Sequence, residues 1–221
     1  GADHQKIYRI YWGTDTRTFN PEQRSEQIRT DLGIINSPTI ISSKNFEKEY
    51  DIESLVKSVP LVLKKVPKAE FVIAGRGSQE AELKQLAKFL GVSDSVNFMG
   101  YIPSDVFPKY LASADIYVCT SLSDGGLAIA TKEAMACELP VIITDLGVNI
   151  EWIENGKNGF VVPLKDPKTI AEKIIYLIER KDVRAKFGKM GRKMVKERFE
   201  YNKEMNKVEK IYEHLISVHK K

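Results

Sequence analysis

DIYVCTSLSDGGLAIATKEAMACELPVIIT, residues 115–144, contains a complete strand, turn, helix and strand pattern. Two runs of branched apolar residues, 115–120 and 140–144, flank a glycine turn and a stretch of small apolar residues with helical spacing. Both runs are continuously apolar instead of alternating, which is typical of parallel strands that are covered on both faces. This stretch therefore predicts one βαβ unit of a parallel sheet.

The same pattern repeats along the chain. Six apolar runs are predicted strands: 38–42, 69–74, 95–99, 115–120, 140–144 and 159–162. Helical spacing predicts helices after them or between them: 51–66, 78–90, 104–113, 126–137, 148–155 and 167–180. We therefore expect an α/β fold, a doubly wound, Rossmann-like parallel sheet of about six strands with helices on both faces.

Three regions are predicted: residues 1–34 as an N-terminal extension that packs on the domain, 35–200 as the sheet domain, and 201–221 as a C-terminal helix. The extension is expected to hold a strand and loop over 7–19 and a short capped helix closed by Gly33. Two charged helices, about 182–198 and 202–219, follow the sheet. The abrupt start predicts a fragment of a longer protein.

The composition is that of a soluble globular protein, with 221 residues, 43% hydrophobic residues and a net charge of +4. No apolar run approaches the roughly 18 residues of a membrane span, and we expect a cytoplasmic protein without an integral membrane segment. The excess of basic residues lies after residue 164 on amphipathic helices, where a solvated face is the expected explanation. Nucleic acid is not an expected partner.

Histidine and cysteine chemistry is not expected. All three histidines, at positions 4, 214 and 219, lie at the chain ends, away from every candidate site, which argues against a hydrolytic triad and a histidine metal site. Cys119 and Cys137 lie in apolar segments without metal-ligand spacing and are predicted to be buried thiols.

A ligand is expected at the carboxyl ends of the strands, where an open parallel sheet forms a crevice. Two glycine turns, AGRGS (74–78) and SDGGL (123–127), reach this edge, and Lys44 and Lys48 follow the first strand. Glycine at a helix start lets backbone amides approach an anion, although either turn alone is also ordinary turn chemistry. Together these features predict an anion or nucleotide site.

Glu133 stands in a helix of small apolar residues, seven positions after Gly126. Seven residues are about two helical turns, so its side chain is predicted to project from nearly the same face as the glycine turn. The alternative is that Lys132 and Glu133 both point to solvent. Residues 131–133 spread over about 200°, which is too wide for one narrow polar strip.

Several motifs, in order, resemble one known family: GTDTRTFNP (13–21), FVIAGRGSQEAELKQLAKFLGVSDSVNFMGYI (71–102), YLASADIYVCTS (110–121) and GLAIATKEAMACELPVIITDLGVNIEWIENGKNGFVVPLKDP (126–167). Together they resemble the carboxyl-terminal domain of the group 1, family 4 retaining glycosyltransferases with the two-domain GT-B fold. The resemblance covers about residues 7–200. It implies an enzyme that moves a sugar from a nucleotide-diphosphate donor to an acceptor without a required metal or cofactor. The acceptor would be held by a preceding domain that this chain lacks.

The resemblance also implies site residues. Glu133 matches the glutamate that hydrogen-bonds the nucleotide ribose. Gly126 and Leu127 match the helix start whose amides face the donor sugar and diphosphate. The stretch against the base corresponds to Tyr101 and Ile102, and Gly75 to the glycine beneath the nucleotide.

Three positions depart from the family pattern. Lys44 stands where the family has the arginine that neutralises the leaving diphosphate, and Lys48 stands close to the family's lysine. A lysine keeps the charge but loses the forked grip of arginine. Asp124 substitutes for the first glutamate of the family's pair, nine residues before Glu133 where the family has eight.

Two functions therefore stay open. The first is the donor-binding domain of a retaining glycosyltransferase, of the hexosyltransferase type, inactive in isolation. The second is a glycosyltransferase-like module that binds nucleotide or assembles without catalysis. The last helix is expected to pack on the preceding domain and to leave an apolar stripe exposed here, at Tyr201, Met205, Val208, Tyr212, Leu215 and Ile216.

Overall fold

The computed structural model describes residues 7–124, 126–146 and 148–219. Six parallel strands form one sheet: β1 (Thr39–Ser43), β2 (Glu70–Ala74), β3 (Val96–Gly100), β4 (Ile116–Cys119), β5 (Val141–Thr144) and β6 (Gly159–Val162). Their spatial order is β3-β2-β1-β4-β5-β6. The predicted Rossmann-like parallel sheet is confirmed. Gly125 of the predicted SDGGL turn lies outside the described residues.

Eight α-helices occur in the described part of the chain: α1 (Glu26–Asp31), α2 (Ile52–Leu63), α3 (Glu80–Phe89), α4 (Phe107–Ser113), α5 (Ile129–Ala136), α6 (Pro167–Glu179), α7 (Lys181–Arg198) and α8 (Tyr201–His219). Helix α6 shows how the sequence sets a boundary. Asp166 caps it by accepting hydrogen bonds from the amides of Lys168 and Thr169, and Pro167 occupies the first turn, where its missing N–H costs nothing.

Both faces of the sheet are covered. Ile40 and Ile41 are neighbours in β1, and each is only 1% exposed. Because consecutive strand residues point to opposite faces, they belong to two separate cores. Ile40 shares one core with Val59 of α2, and Ile41 shares the other with Met135 of α5. Burial on both sides explains why the strand sequences are continuously apolar.

The strand order reverses direction at β1, which pairs with β2 on one side and with β4 on the other. Such a reversal opens a crevice between the loops that follow the two strands. The loops are joined to each other, since Thr120 Oγ1 donates to the carbonyl of Tyr50 over 2.8 Å and the Leu122 amide donates to that of Glu49 over 2.7 Å. The fold thus brings the segments after β1 and β4 to one place.

The strand predicted within residues 7–19 is wrong. This segment is irregular, and its one bridge pairs Thr14 with Glu200 beside the start of α8. The amide of Thr14 donates to Phe199 O over 2.7 Å, so its backbone is satisfied by the α7–α8 connection instead of a sheet edge. Arg192 holds the same segment by donating to the carbonyls of Thr16 and Phe19.

Two helix predictions need correction. The helix predicted over 148–155 is reduced to a single 3-10 turn, Val148–Glu151. Two asparagine side chains bind the local backbone instead: Asn149 donates to Thr144 O over 2.7 Å, and Asn158 accepts from the amide of Glu154. Helix α5 begins at Ile129 and not at residue 126. The two charged helices after residue 180 are formed as predicted.

The predicted apolar stripe of α8 is largely exposed. Tyr212 is 62% exposed and Ile216 is 55% exposed, while Val208 is partly buried. No helix in the described ranges is both long enough and apolar enough to cross a bilayer.

Candidate functional site

Two adjoining cavities lie at the carboxyl edge of the sheet. The larger cavity, of about 590 Å³, lies between helix α5, residues 9–12 and residues 148–152. The smaller cavity, of about 330 Å³, lies between α5, the end of β2 and the loop that follows β3. Lys44 and Ala130 line both cavities. Together the cavities form the crevice that the strand order predicts.

Glu133 lies in the smaller cavity with Gly75, Tyr101 and Ile102. The structure thus brings together four of the predicted donor-binding residues. Glu133 is half-buried, and its carboxylate accepts no hydrogen bond from the described residues. Burial raises the pKa of Glu133 to about 7, against a smaller lowering by the charge of Lys132. Burial removes the water that stabilises the ionised carboxylate, and a ligand with hydrogen-bond donors would take the place of that water.

Gly126 and Leu127 line the larger cavity, but not as the start of a helix. Because α5 begins at Ile129, both residues lie in the bend before it, and Gly126 has a φ of 146°. Gly126 and Glu133 therefore do not lie two turns apart on one helix, and the prediction that they share a helix face is wrong. The two residues line different cavities.

Lys44 and Asp124 form an ion pair between the loops that follow β1 and β4, where the strand order reverses. Lys44 Nζ lies 3.1 and 3.0 Å from the two carboxylate oxygens of Asp124, and the side chains are 10% and 18% exposed. The ammonium also lies 5.1 Å from the centre of the Tyr50 ring. Lys44, predicted to neutralise the diphosphate, is thus bound to Asp124, which stands in place of the family's first glutamate.

Lys48 lies apart from the other predicted residues. It is exposed at the start of a short 3-10 turn and lines neither cavity. The preceding residue, Glu47, accepts hydrogen bonds from the amide and hydroxyl of Ser78, over 2.8 and 2.5 Å. These bonds lower the pKa of Glu47. The AGRGS turn therefore has one of its amides bound by a carboxylate of this chain, which makes it a weaker anion site than its glycines indicate.

Gly75 is required by close backbone contact. Its φ of 146° favours glycine, and a Cβ at this position would overlap the carbonyl oxygen of Lys44. Its amide donates to Gly100 O over 2.8 Å. The glycine therefore lets the loops after β1 and β2 touch at the edge of the smaller cavity.

Two buried polar residues at the site were missed from the sequence. Lys132 is 4% exposed and lines the larger cavity, and Tyr117 is fully buried with its hydroxyl 3.3 Å from Ser43 Oγ. Burial lowers the pKa of Lys132 and raises that of Tyr117. The wide angular spread of residues 131–133 indicated that they could not all face solvent, and this held for Lys132 as much as for Glu133. Nothing in the sequence distinguished Tyr117 from an ordinary core tyrosine.

The described ranges contain no cluster of three or more His, Cys, Asp or Glu side chains that could hold a metal ion.

The family model for glycosyl transferases group 1 matches residues 24–194 of this chain. Spore coat protein SA of Bacillus subtilis (strain 168) is 27% identical in an alignment that covers 98% of this chain and 59% of that protein. The putative glycosyltransferase EpsD of the same organism is 32% identical over 87% of this chain and 50% of that protein.

Solved structures show the same fold. Anabaena Alr3699/HepE in complex with UDP-glucose superposes with a TM-score of 0.87, at 22% identity, over 97% of this chain and 59% of that one. The C-terminal domain of the group 1 family protein LpcC from Francisella tularensis gives a TM-score of 0.74, at 27% identity, over 85% of this chain and 99% of that domain.

This chain spans about half to three fifths of the curated relatives named here and matches an isolated C-terminal domain over that domain's whole length. The resemblance to the carboxyl-terminal domain of a group 1 glycosyltransferase, identified from the sequence motifs, is confirmed. The chain belongs to the family of group 1 glycosyl transferases.

Proposed function

We propose that this chain is the donor-binding domain of a retaining, family 4 glycosyltransferase, which takes a sugar from a nucleoside-diphosphate sugar. The observation that carries the proposal is the carboxylate of Glu133, half-buried in the smaller cavity without a hydrogen bond from the described residues. A ribose offers two neighbouring hydroxyl donors, which is the kind of partner that a desolvated carboxylate lacks. The UDP-glucose in the Anabaena structure supports a nucleotide sugar as the ligand.

The smaller cavity fits a nucleoside. Tyr101 is 65% exposed, and Tyr101 and Ile102 offer an aromatic and an aliphatic surface against which a base can lie. Gly75 lets the backbone at the end of β2 lie directly against that of Lys44, because a Cβ there would overlap the Lys44 carbonyl. Glu133, which lines the same cavity from α5, would then receive the ribose. A flat apolar surface of this kind accepts any base.

The diphosphate would lie where the two cavities meet. Lys44 lines both cavities, and the bend at Gly126 and Leu127 lies on the side of the larger one. When the bond between the sugar and the diphosphate breaks, negative charge grows on the diphosphate, and a nearby cation stabilises that state. Lys44 would supply this charge by exchanging its bond to Asp124 for one to phosphate. Lys48 would have to move inward to add a second charge.

Transfer requires an acceptor and a second domain. The chain covers 59% and 50% of the two relatives, so we propose that a preceding domain holds the acceptor and that this chain alone binds donor without turnover. The exposed stripe of α8, which includes Met205 and Tyr212, is proposed to pack on that domain. The site uses no metal in this proposal, and the enzyme is placed in the cytoplasm.

One observation favours a second candidate, a binding module without catalysis. The charge of Lys44 is already matched by Asp124, and Lys48 lies outside both cavities. A protein with this pair could hold a nucleotide without stabilising a leaving diphosphate. Loss of sugar transfer on Lys44→Ala, in a protein that joins this chain to its acceptor domain, would refute the module.

Calorimetric titration of this chain with UDP, GDP and ADP tests the proposed function. We expect saturable binding of at least one nucleotide, weakened about tenfold or more by Glu133→Ala, because one charge-assisted hydrogen bond contributes about 1.5–3 kcal/mol. Glu172→Ala is the matched control, since Glu172 is an exposed glutamate of α6. The proposal fails if none of the nucleotides binds, or if the two variants bind alike.

A further inference from the structure

Lys132 is a buried cation in the wall of the larger cavity. Its side chain projects from α5 beneath residues 9–12, and the residue is only 4% exposed. The ammonium donates to Trp12 O over 2.6 Å and lies 5.0 Å from the centre of the Phe199 ring. An ammonium has three N–H donors, and the described residues provide one acceptor within hydrogen-bond distance. Two donors are left for a ligand.

The charge of Lys132 is not matched by an ion pair within the described ranges. Two carboxylates are near enough to favour its charged form, those of Glu133 and Glu204, but neither lies within ion-pair distance. Glu204 is itself occupied, because it accepts from the Tyr11 amide over 3.0 Å and pairs with Lys207. Burying a charge without a partner is costly, so an anion in the cavity would stabilise this arrangement.

The other charges of the cavity leave Lys132 free for such an anion. Lys44 is already paired with Asp124, and the remaining charged residues of the wall, Arg9 and Glu151, are exposed. Lys132 is therefore the cation of this cavity that is both buried and without an ion pair among the described residues. A bulky apolar residue would pack against Phe199 equally well, so packing alone does not explain a lysine here.

We propose that Lys132 binds an anionic group of the ligand, a phosphate or a carboxylate, in the larger cavity. The inference rests on the proposed function, since the anion is carried by the sugar nucleotide. Two sources share this chemistry: the diphosphate itself, and an acidic group on the transferred sugar. The first makes Lys132 a substitute for the charge that Asp124 takes from Lys44. The second makes it a residue that selects an acidic sugar.

Binding constants of wild type, Lys132→Met and Lys132→Gln separate these sources. The probes are inorganic pyrophosphate, the nucleoside diphosphate that binds wild type best, its uncharged nucleoside, and UDP-glucuronic acid against UDP-glucose. Glutamine keeps a donor for Trp12 O without the charge, so it tests the charge even if the methionine variant does not fold. Lys168→Met, at an exposed lysine of α6, controls for the change in net charge.

If the diphosphate is the anion, both variants weaken pyrophosphate and the nucleoside diphosphate at least fivefold and leave the nucleoside unchanged. If an acidic sugar is the anion, the variants abolish a wild-type preference for UDP-glucuronic acid over UDP-glucose. The inference is overturned if every probe binds folded variants within twofold of wild type, or if the nucleoside is weakened as much as its diphosphate. Absence of nucleotide binding by wild type would instead overturn the proposed function, and pyrophosphate would still test Lys132.

Discussion

Lys132 and Glu133 are consecutive residues of one helix, and their side chains line two different cavities. A helix turns by about 100° per residue, so neighbours in sequence can serve opposite walls. Helix α5 is thus the partition between the larger and the smaller cavity. Each cavity receives one partly or fully buried charge from it, and neither charge has an ion-pair partner among the described residues. Such charges reduce the stability of the empty protein, which can be measured.

Glu133→Gln is expected to stabilise the chain at alkaline pH. Because burial raises the native-state pKa of Glu133 from 4.5 to about 7, its contribution to stability is fully present below pH 4.5 and is lost as the pH rises through 7. Glutamine does not ionise. The free energy of unfolding in urea should therefore be higher for the variant by up to about 3 kcal/mol at pH 8, and by less than about 1 kcal/mol at pH 5.

Glu172→Gln, at an exposed position of α6, provides the comparison for this measurement. It should change the unfolding free energy by less than about 0.5 kcal/mol at either pH. Equal stability of Glu133→Gln and wild type at pH 8 would show that Glu133 is already ionised in the native state at no cost.

Nucleotide binding is expected to strengthen with pH. Ribose hydroxyls donate to the ionised carboxylate, so the bound state lowers the pKa of Glu133 and releases a proton. With a free-state pKa of about 7, affinity at pH 8 should exceed that at pH 6 by about tenfold. Titration calorimetry in two buffers of different ionisation enthalpy measures the proton. Glu133→Gln removes this increment and leaves only the titration of the phosphate itself, so an unchanged pH profile in the variant would contradict the assigned role.

The ion pair of Lys44 and Asp124 is expected to be strongly coupled. Both side chains are largely buried, at 10% and 18% exposure, so removing one partner leaves the other uncompensated. A double-mutant cycle with Lys44→Met and Asp124→Asn should give a coupling energy of about 1–3 kcal/mol in urea unfolding. The exposed pair Lys84 and Glu80 is a matched control with an expected coupling below about 0.5 kcal/mol. Equal couplings would mean that the buried pair is no stronger than a surface contact.

Asp124→Asn is also expected to tighten binding of a nucleoside diphosphate severalfold. The substitution removes the carboxylate that holds Lys44 in the empty protein, so the ammonium is free for phosphate. The matching nucleoside, which lacks phosphate, should bind as before. Weaker binding of the diphosphate by Asp124→Asn would contradict this expectation and would indicate that Asp124 contacts the donor directly.

The sheet was predictable because each strand carries its own signal. Six apolar runs bounded by turn residues gave six strands at the positions where the structure has them, and parallel burial follows from their composition. Segment 7–19 misled because its first half is rich in isoleucine, tyrosine and tryptophan, the branched and aromatic residues that are common in strands. Its backbone partners come from Phe199 and Tyr201, which lie far away in sequence. Such contacts leave no local pattern.

The sequence was enough to place most site residues at the carboxyl edge of the sheet. It was not enough to identify the residues with which they form ion pairs and hydrogen bonds. The sequence put Lys44 and Asp124 at this edge without indicating that they bind each other, because the pairing depends on the neighbouring positions of β1 and β4. It likewise could not show that Glu47 would bind the amide of Ser78. Residue type limits the possible partners of a charge, and only the topology selects among them.

Gly75→Ala and Gly126→Ala separate close contact from backbone strain. Both glycines have a φ of 146°, a conformation that costs a side-chain-bearing residue about 1–3 kcal/mol. A Cβ at Gly75 would overlap Lys44 O, whereas a Cβ at Gly126 would meet no atom of the described residues within 4 Å. Gly126→Ala should therefore lose only the strain term in urea unfolding, and Gly75→Ala should lose at least about 2 kcal/mol more. Equal losses would show that the loop after β1 can move away from the added Cβ without a loss of stability. Backbone conformation alone, and not the contact with Lys44, would then require glycine at position 75.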